Sequence, residues 1–164
     1  MVTLGINGFG RVGRCALRAA LESGVRVGAV NGTADSKTLS HLLKYDSTYG
    51  ILGEEVLAGE GSFFVGGREI RIFSERDPGK IPWASAGVEV VLECTGNFTE
   101  RAQAEKHLEG GAERVIIAAP AKGEDITIVL GVNEGKYEKG KHRIISNASC
   151  TTNCLAPVAK VLQE

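Results

Sequence analysis

The chain has 164 residues, enough for one domain with a substantial core, and its net charge of −1 gives no indication of a nucleic-acid or membrane-surface partner. No apolar run is long enough to span a bilayer, and the N-terminus lacks the basic segment and long apolar core of a signal peptide. Four cysteines are too few for a disulfide scaffold and lack paired metal-ligand clusters, so we expect no bound metal and a reducing, cytoplasmic compartment.

Strand and helix patterns alternate through the first half of the chain. Residues 2–7 and 26–31 are short apolar runs typical of buried strands. Helices are predicted over residues 11–24, where apolar positions recur at helical spacing, and over 36–45. Residues 62–73 contain two alternating runs around Gly66-Gly67, which predicts a β-hairpin.

The second half continues the alternation. A strongly apolar strand pattern over 88–96 precedes a helix predicted over 97–111, with Asn97 and Glu100, or Thr99, as its cap and Gly110-Gly111 as its end. Three further strands are predicted at 114–119, 126–133 and 142–147. The segment that follows reads as a last helix, which Pro157 should bend or interrupt.

This alternation, with apolar runs rather than apolar and polar residues in turn, predicts an α/β fold: a Rossmann-type doubly wound, mostly parallel sheet covered on both faces. Such a sheet has its ligand crevice at the carboxyl ends of the strands. The segment Gly8–Gly13 and the residues Gly32, Gly96 and Cys150 all follow predicted strands, so we expect them at that edge.

Three glycines form a G-x-G-x-x-G motif between the first strand and the first helix. Gly8 permits the tight turn, Gly10 lets the backbone approach a pyrophosphate, and Gly13 allows close packing of helix on strand. The N–H groups of Arg11 and Val12, at the positive end of the helix, would meet the phosphates. The alternative is a compact turn with no ligand; the position after a strand favours the dinucleotide.

The residues after the second strand bear on which dinucleotide binds. An NAD site commonly has an acid there that accepts hydrogen bonds from the ribose 2′-OH, whereas this chain has Gly32. Thr33 and Ser36 offer hydroxyls to a 2′-phosphate, and Arg76 offers charge if it folds nearby. We therefore predict that NADP is accepted at least as well as NAD. The alternative is that Gly32 is only a turn residue and Asp35 takes the role of the acid.

Cys150 is a candidate nucleophile. Ser149 or its neighbour is predicted to cap the last helix, which places Cys150 in the first turn, where free N–H groups favour the thiolate and could receive an oxyanion. This combination suits a thiol that forms a thiohemiacetal with an aldehyde and becomes a thioester when hydride leaves to a nicotinamide. A lone cysteine is more often a small buried apolar residue, and we assign that role to Cys15, Cys94 and Cys154.

Several stretches resemble the phosphorylating glyceraldehyde-3-phosphate dehydrogenases: INGFGRVGR, HLLKYDSTYG, AAPAK, EDITIVLGVN and above all SNASCTTNCLAP. The resemblance runs through essentially the whole chain. It implies a glycolytic oxidoreductase that oxidises an aldehyde phosphate with NAD or NADP and then lets inorganic phosphate attack the thioester.

The resemblance also implies site residues. Cys150 would be the nucleophile, with Ser149 and Thr151 holding substrate or phosphate. The implied cofactor-binding residues lie at the strand ends and at the start of the first helix: Gly8, Gly10, Arg11, Val12, Gly13, Asn31, Gly32, Thr33, Arg76, Thr95, Gly96, Phe98 and Ala118.

This sequence departs from the family pattern at several of these positions. Members that bind NAD have Asp where this chain has Gly32. The next residue is usually Leu in those members but is Thr33 here, as it is in the NADP-using photosynthetic members. Members commonly have Ser or Thr where this chain has Ala118, and Ser where it has Cys94, so hydroxyl contacts to the cofactor are expected to be missing there.

The resemblance assigns residues 1–148 to a dinucleotide-binding domain and 149–164 to the first helix of an otherwise absent catalytic domain, because family chains are about twice as long. The general-base histidine of the family belongs to that half. His41 and His107 are predicted to be solvated helix positions, and His142 does not match the base either.

The chain alone is thus expected to be inactive, and the uncovered face of its last helix is expected to favour a homo-oligomer. Two alternatives remain: an isolated NADP-binding module, or half of an erythrose-4-phosphate dehydrogenase.

Overall fold

The computed structural model describes residues 2–163, and its strands are numbered here in chain order. They are β1 (Thr3–Asn7), β2 (Arg26–Asn31), β3 (Tyr45–Asp46), β4 (Gly50–Ile51), β5 (Val56–Ala58), β6 (Ser62–Val65), β7 (Arg68–Phe73), β8 (Val90–Glu93), β9 (Arg114–Ile117), β10 (Ile126–Thr127) and β11 (Ile144–Ser146). The α-helices are α1 (Arg11–Glu22), α2 (Ser36–Lys44), α3 (Arg101–Ala104), α4 (Lys106–Glu109) and α5 (Cys150–Gln163).

Nine of these strands form one sheet, in the order β10-β11-β9-β8-β1-β2-β7-β6-β5. The pairs from β10 to β7 are parallel, and β6 and β5 extend the sheet as antiparallel strands. From β1 the chain first builds outward through β2 and β7, and later returns to build the other side through β8, β9 and β11. This reversal confirms the doubly wound α/β fold of Rossmann type, and it opens a crevice at the carboxyl ends of β1 and β8.

The core lies on both faces of the sheet. On one face, Leu17 of α1 is fully buried together with Ile6 of β1 and Val30 of β2. On the other face Trp83 is fully buried against β1, so closely that a Cβ at Gly5 would lie 2.6 Å from the indole ring. Because neither face of the sheet is exposed to water here, these strands have continuous apolar runs rather than alternating apolar and polar residues.

The hairpin and the first three main elements form where the sequence predicts them. β6 and β7 pair around Gly66-Gly67, and both glycines adopt positive φ. The helix predicted from Asn97 is wrong at its start, because α3 begins at Arg101 and no side chain caps it. The backbone of Thr99 and Arg101 instead hydrogen-bonds to Lys122, which holds this segment extended. The predicted helix is also divided at Glu105 into α3 and α4, and α4 ends before Gly110 as predicted.

Two other predictions are wrong in part. The strand predicted over 126–133 stops at Thr127, because the Asn133 side chain accepts from the Val129 N–H at 2.8 Å and donates to the Thr127 carbonyl at 2.9 Å, closing a turn. Pro157 does not interrupt the last helix, since α5 runs continuously from Cys150 to Gln163. Across residues 2–163, no helix combines the length and apolar character needed to cross a membrane.

Candidate functional site

A cleft of about 600 Å³ opens at the carboxyl ends of β1, β2 and β8. Its walls are the glycine-rich turn after β1, the turn after β2, the Glu75–Arg76 segment after β7, and the segment 94–98 after β8. Eight of the predicted cofactor-binding residues line it: Gly8, Gly10, Asn31, Gly32, Thr33, Arg76, Thr95 and Phe98.

The three glycines of the motif differ in what requires them. Gly8 has φ +90°, and a Cβ there would lie 2.7 Å from the Thr95 nitrogen. A Cβ at Gly13 would lie 2.1 Å from the Gly8 carbonyl oxygen, so α1 could not approach β1 as it does. A Cβ at Gly10 would meet nothing within 4 Å. Folding therefore explains Gly8 and Gly13, whereas no contact within the described chain accounts for Gly10.

The start of α1 offers unpaired donors to such a molecule. Gly10 caps the helix without a side chain, and the first turn contains no acidic residue. The first N–H groups of a helix, here those of Arg11 and Val12, have no partner within the helix. Arg11, Val12 and Gly13 follow the cleft residue Gly10 but do not line the cleft themselves, and the Arg11 guanidinium contacts Asp46 and Thr48, both at 3.4 Å.

Gly32 is not demanded by the local backbone. Its φ is not positive, and a Cβ would make ordinary contacts at 3.4 Å with Phe9 and 3.7 Å with Leu39. The backbone therefore tolerates a Cβ at this position, and the lack of a side chain leaves that part of the cleft open. The interpretation of Gly32 as a required turn residue finds no support here.

The nearby polar residues after β2 are engaged with the protein. Asp35 caps α2 by accepting hydrogen bonds from the N–H and hydroxyl of Thr38, at 2.9 and 2.8 Å, and these bonds lower its pKa. The Ser36 hydroxyl donates to the Gly59 carbonyl at 2.7 Å. Neither residue lines the cleft, whereas Thr33 does and is exposed.

Arg76 reaches the cleft because Asn31 fastens its segment to β2. The Asn31 amide donates to the Glu75 carbonyl at 2.8 Å, and its oxygen accepts from the Glu75 N–H at 2.9 Å. Arg76 follows directly and lines the same cleft as Gly32 and Thr33. The side chain of Asn31 is thus occupied in positioning this wall of the cleft.

The opposite wall is formed by the segment after β8. Thr95 and Phe98 line it, while Gly96 has φ +74° and open space around it. Cys94 also lines the cleft, but burial, followed by the nearby Glu93 carboxylate, raises its pKa to about 12, so this thiol stays protonated. Ala118 lies after β9, is exposed, and does not belong to the cleft lining.

Cys150 is exposed at the first position of α5, after β11 on the same edge of the sheet. The Ser149 hydroxyl accepts from the Thr152 N–H at 2.9 Å and lies 2.8 Å from the Thr151 hydroxyl, so Ser149 is the helix cap that the sequence predicts. Cys150 does not line the cleft itself; β11 lies three strands from β1, about 14 Å at the usual spacing.

Two predictions about single residues are wrong. Cys154 is exposed rather than packed inside, because nothing in residues 2–163 covers its face of α5. His107 is fully buried rather than solvated. His107 follows the buried Ala104 by three residues, and that spacing places both on the same face of a helical segment. The spacing could therefore have predicted that His107 is buried. His41 is exposed as predicted.

A doubly wound parallel sheet, a glycine-rich turn that opens α1, and a cleft at the strand ends together define a dinucleotide-binding domain. Residues 2–101 match the family model described as the NAD binding domain of glyceraldehyde 3-phosphate dehydrogenase. The chain therefore belongs to the glyceraldehyde-3-phosphate dehydrogenase family.

Similar proteins that are named glyceraldehyde-3-phosphate dehydrogenase support this family assignment. A glyceraldehyde-3-phosphate dehydrogenase 1 from Bacillus cereus is 58% identical over 100% of this chain and 49% of its own length. Those from Priestia megaterium and Geobacillus stearothermophilus are each 57% identical over 99% of this chain and 49% of their own. The chain spans about half the length of the curated relatives it matches.

Proposed function

We propose that the chain is the dinucleotide-binding half of a glyceraldehyde-3-phosphate dehydrogenase and that it accepts NADP at least as well as NAD. The observation that carries this proposal is the open cleft at Gly10 and Gly32, two positions where the fold would tolerate a side chain and has none. Arg76 on the adjacent wall supplies a positive charge to a phosphate placed beside Gly32.

The residues fit a dinucleotide along its length. The N–H groups at the start of α1 would hold the pyrophosphate, Asn31 and Arg76 would form the adenosine end, and Thr95 with Phe98 would line the path toward the other end. Gly96 would leave space there, while Gly13 acts through packing alone. Ala118 stays a prediction, because its exposed position after β9 lies outside the cleft lining.

Cys150 is the proposed nucleophile. Its sulfur would add to the aldehyde carbon of a triose phosphate to form a thiohemiacetal, and the N–H groups of the first turn of α5 could receive the oxyanion. A bound nicotinamide supplies the acceptor for the hydride that leaves this carbon. Inorganic phosphate then displaces the sulfur from the thioester, and Ser149 and Thr151 are placed beside Cys150 to hold the phosphate.

Cofactor preference is tested by titrating the chain with NADP and with NAD while following intrinsic fluorescence. We expect saturable binding of both, with NADP at least as tight as NAD. A dissociation constant for NAD ten-fold below that for NADP would overturn the preference. Absence of binding by either dinucleotide would overturn the proposal as a whole.

Catalysis needs a general base, and the three histidines are engaged elsewhere. His107 is buried against Trp83 and Glu93, His142 accepts from the Glu138 N–H, and His41 stacks near Tyr45. Loss of a general base costs about two to four orders of magnitude in rate. We therefore expect the 164-residue chain to show negligible turnover when assayed alone.

The assay measures reduction of NADP with glyceraldehyde 3-phosphate and inorganic phosphate. Activity should appear when the second half of the Bacillus cereus relative is added as a separate polypeptide. Cys150→Ser should abolish that activity, whereas Cys154→Ser, four residues along the same exposed helix, should retain it. Full activity of the chain alone would show the expectation to be wrong.

We also propose that the protein is cytoplasmic and forms a homo-oligomer. Its support is family membership and the uncovered apolar side chains of α5.

A further inference from the structure

A buried polar cluster lies beneath the cleft, and one of its members, Asn7, also lines the cleft. It consists of Asn7 on β1, Glu93 on β8, His107 on α4 and Trp83, each at most 1% exposed. We call these four residues the Glu93 cluster. Polar groups this deeply buried are costly unless they are hydrogen-bonded, so their arrangement calls for an explanation beyond packing.

The indole of Trp83 fixes the state of His107. Its Nε1–H donates to His107 Nδ1 at 3.1 Å, and an indole N–H can only donate. Nδ1 therefore carries the lone pair, the imidazole is neutral, and its proton is on Nε2. That Nε2–H donates to Glu93 Oε2 at 3.0 Å, so the contact is a hydrogen bond rather than an ion pair.

Glu93 is thus a buried carboxylate held by neutral donors. Besides His107, its Oε2 accepts from Asn7 Nδ2 at 2.5 Å, and its Oε1 accepts from the Thr95 N–H at 2.7 Å and from the Thr95 hydroxyl. None of its partners in the described part of the chain is Lys or Arg. A buried charge without a cationic partner is costly, so stability alone does not account for a carboxylate at this position.

That geometry reaches three walls of the cleft. Asn7 directly precedes Gly8, and its oxygen accepts from Asn31 Nδ2 at 2.7 Å. Asn31 in turn holds the Glu75–Arg76 segment, and Thr95 lines the wall after β8. We propose that Glu93 is a positioning residue, whose carboxylate sets these walls at the separation that a dinucleotide requires. This inference rests on the proposed function.

Glu93→Gln tests it, because glutamine has one acceptor oxygen and an NH₂ group where the carboxylate accepts on both sides. The single oxygen of the new amide can accept either from Thr95 on one side or from His107 and Asn7 on the other, so some of these donors lose their acceptor. We expect NADP to bind about ten-fold more weakly or worse, while circular dichroism shows a folded chain. The matched control is Glu113→Gln, because Glu113 is an exposed carboxylate that contacts Arg114 at 2.9 Å. This variant should bind NADP as tightly as the parent does.

Exchanging the two groups should restore the network. In Asn7→Asp with Glu93→Gln, the amide at 93 can donate to Asp at position 7 and accept from Thr95. His107 Nε2–H, now 3.0 Å from Glu93 Oε2, would have to turn from the new amide at 93 to the Asp oxygen at the place of Asn7 Nδ2, which is 3.5 Å away. The exchanged variant should therefore bind NADP within about three-fold of the parent, which would tie the loss in Glu93→Gln to the hydrogen-bond network.

The outcomes separate the two proposals. A parent chain that binds neither dinucleotide overturns the proposed function, and the positioning role with it. A parent that binds NADP, with Glu93→Gln within two-fold of it, overturns the positioning role alone, as does an exchanged variant that stays as weak as Glu93→Gln. If Glu93→Gln does not fold, the exchanged variant tests the positioning role instead: the role requires that this variant folds and binds NADP, and failure of either overturns it. A ¹⁵N spectrum of the parent at pH 7 should show His107 protonated on Nε2 only; a doubly protonated ring contradicts the network.

Discussion

At the scale of single residues, Gly32 is the position on which the proposed acceptance of NADP depends. Its backbone does not require glycine, and a side chain would meet only Phe9 and Leu39 at ordinary distances. Arg76 lines the same part of the cleft. The conformation of the turn therefore does not account for the glycine at position 32.

Replacing Gly32 with Asp should reverse the cofactor preference. The new carboxylate would repel a 2′-phosphate and accept hydrogen bonds from a 2′-OH, so NADP should bind about ten-fold more weakly and NAD no more weakly than before. Isothermal titration calorimetry with both dinucleotides measures this.

Gly53→Asp provides the control for added charge, since Gly53 is exposed with open space around it and lies outside the cleft lining. Unchanged NADP affinity in Gly32→Asp would contradict the placement of the 2′-phosphate.

At the scale of elements, the junction of β1 with α1 combines two requirements in one turn. Gly13 lets the helix approach the strand, and Gly10 leaves the cleft side of the turn open. The same substitution at the two positions should therefore give different defects, one in stability and one in binding.

Gly13→Ala should destabilise the fold by about 1–3 kcal/mol or more, because the new methyl would overlap the Gly8 carbonyl. Gly10→Ala should keep the parental melting temperature to within a few degrees, since its φ of −77° suits alanine, but should weaken dinucleotide binding about ten-fold. Thermal melts and fluorescence titration of both variants check this. Gly10→Ala binding as well as the parent would remove the pyrophosphate from this turn.

A second contact between elements involves Asp125, which joins α3 to β11. Its carboxylate accepts from the N–H groups of Arg143 and Ile144, at 2.7 and 2.8 Å, and from the Arg101 guanidinium at 2.5 Å. Burial by itself would raise the pKa of Asp125, but the hydrogen bonds from Ile144, Arg101 and Arg143 outweigh it and lower the pKa to about 2.

Asp125→Asn should cost about 1–2 kcal/mol of unfolding free energy at pH 7. Because the pKa of the carboxyl is lower in the folded than in the unfolded chain, its contribution is complete above about pH 4 and is lost as the pH falls toward about 2. Urea unfolding at pH 7 and pH 3 should therefore show a smaller difference between parent and variant at pH 3.

The control is Glu138→Gln, which removes an exposed ion pair with Lys141 and should change stability by less than about 0.5 kcal/mol at both pH values. An Asp125→Asn defect of equal size at pH 7 and pH 3 would show that the charge is not its cause.

At the scale of the whole molecule, α5 presents an apolar surface. Leu155, Val158, Val161 and Leu162 are between 53% and 83% exposed, and none of the residues of the helix is buried. Contiguous apolar surface of this kind favours association, and the relatives have further chain of about equal length.

The 164-residue chain should therefore form dimers or larger species, as measured by size-exclusion chromatography with light scattering. Leu155→Lys combined with Leu162→Lys should shift it toward monomer, whereas Gln163→Lys, an added charge at an exposed polar position of the same helix, should not. A parent chain that is monomeric at high concentration would contradict the expectation.

Local patterns were sufficient for much of this fold and of the candidate site. The apolar runs of β1 and β2, the hairpin around Gly66-Gly67 and the cap at Ser149 each depend on neighbouring residues, and each lies where the sequence predicts it. The glycine motif is predictable for the same reason, because turn, strand and helix are contiguous in the chain.

What the sequence by itself determined is therefore the order of the main elements, without β3, β4 and β5, together with the fold class and the edge of the sheet where the cleft opens. Only the tertiary structure decided that the chain stays extended before Arg101, that Arg76 joins Gly32, and that His107 is buried against Glu93. Each of these depends on a hydrogen bond or contact between segments far apart in the chain, and periodicity along the chain carries no information about such partners.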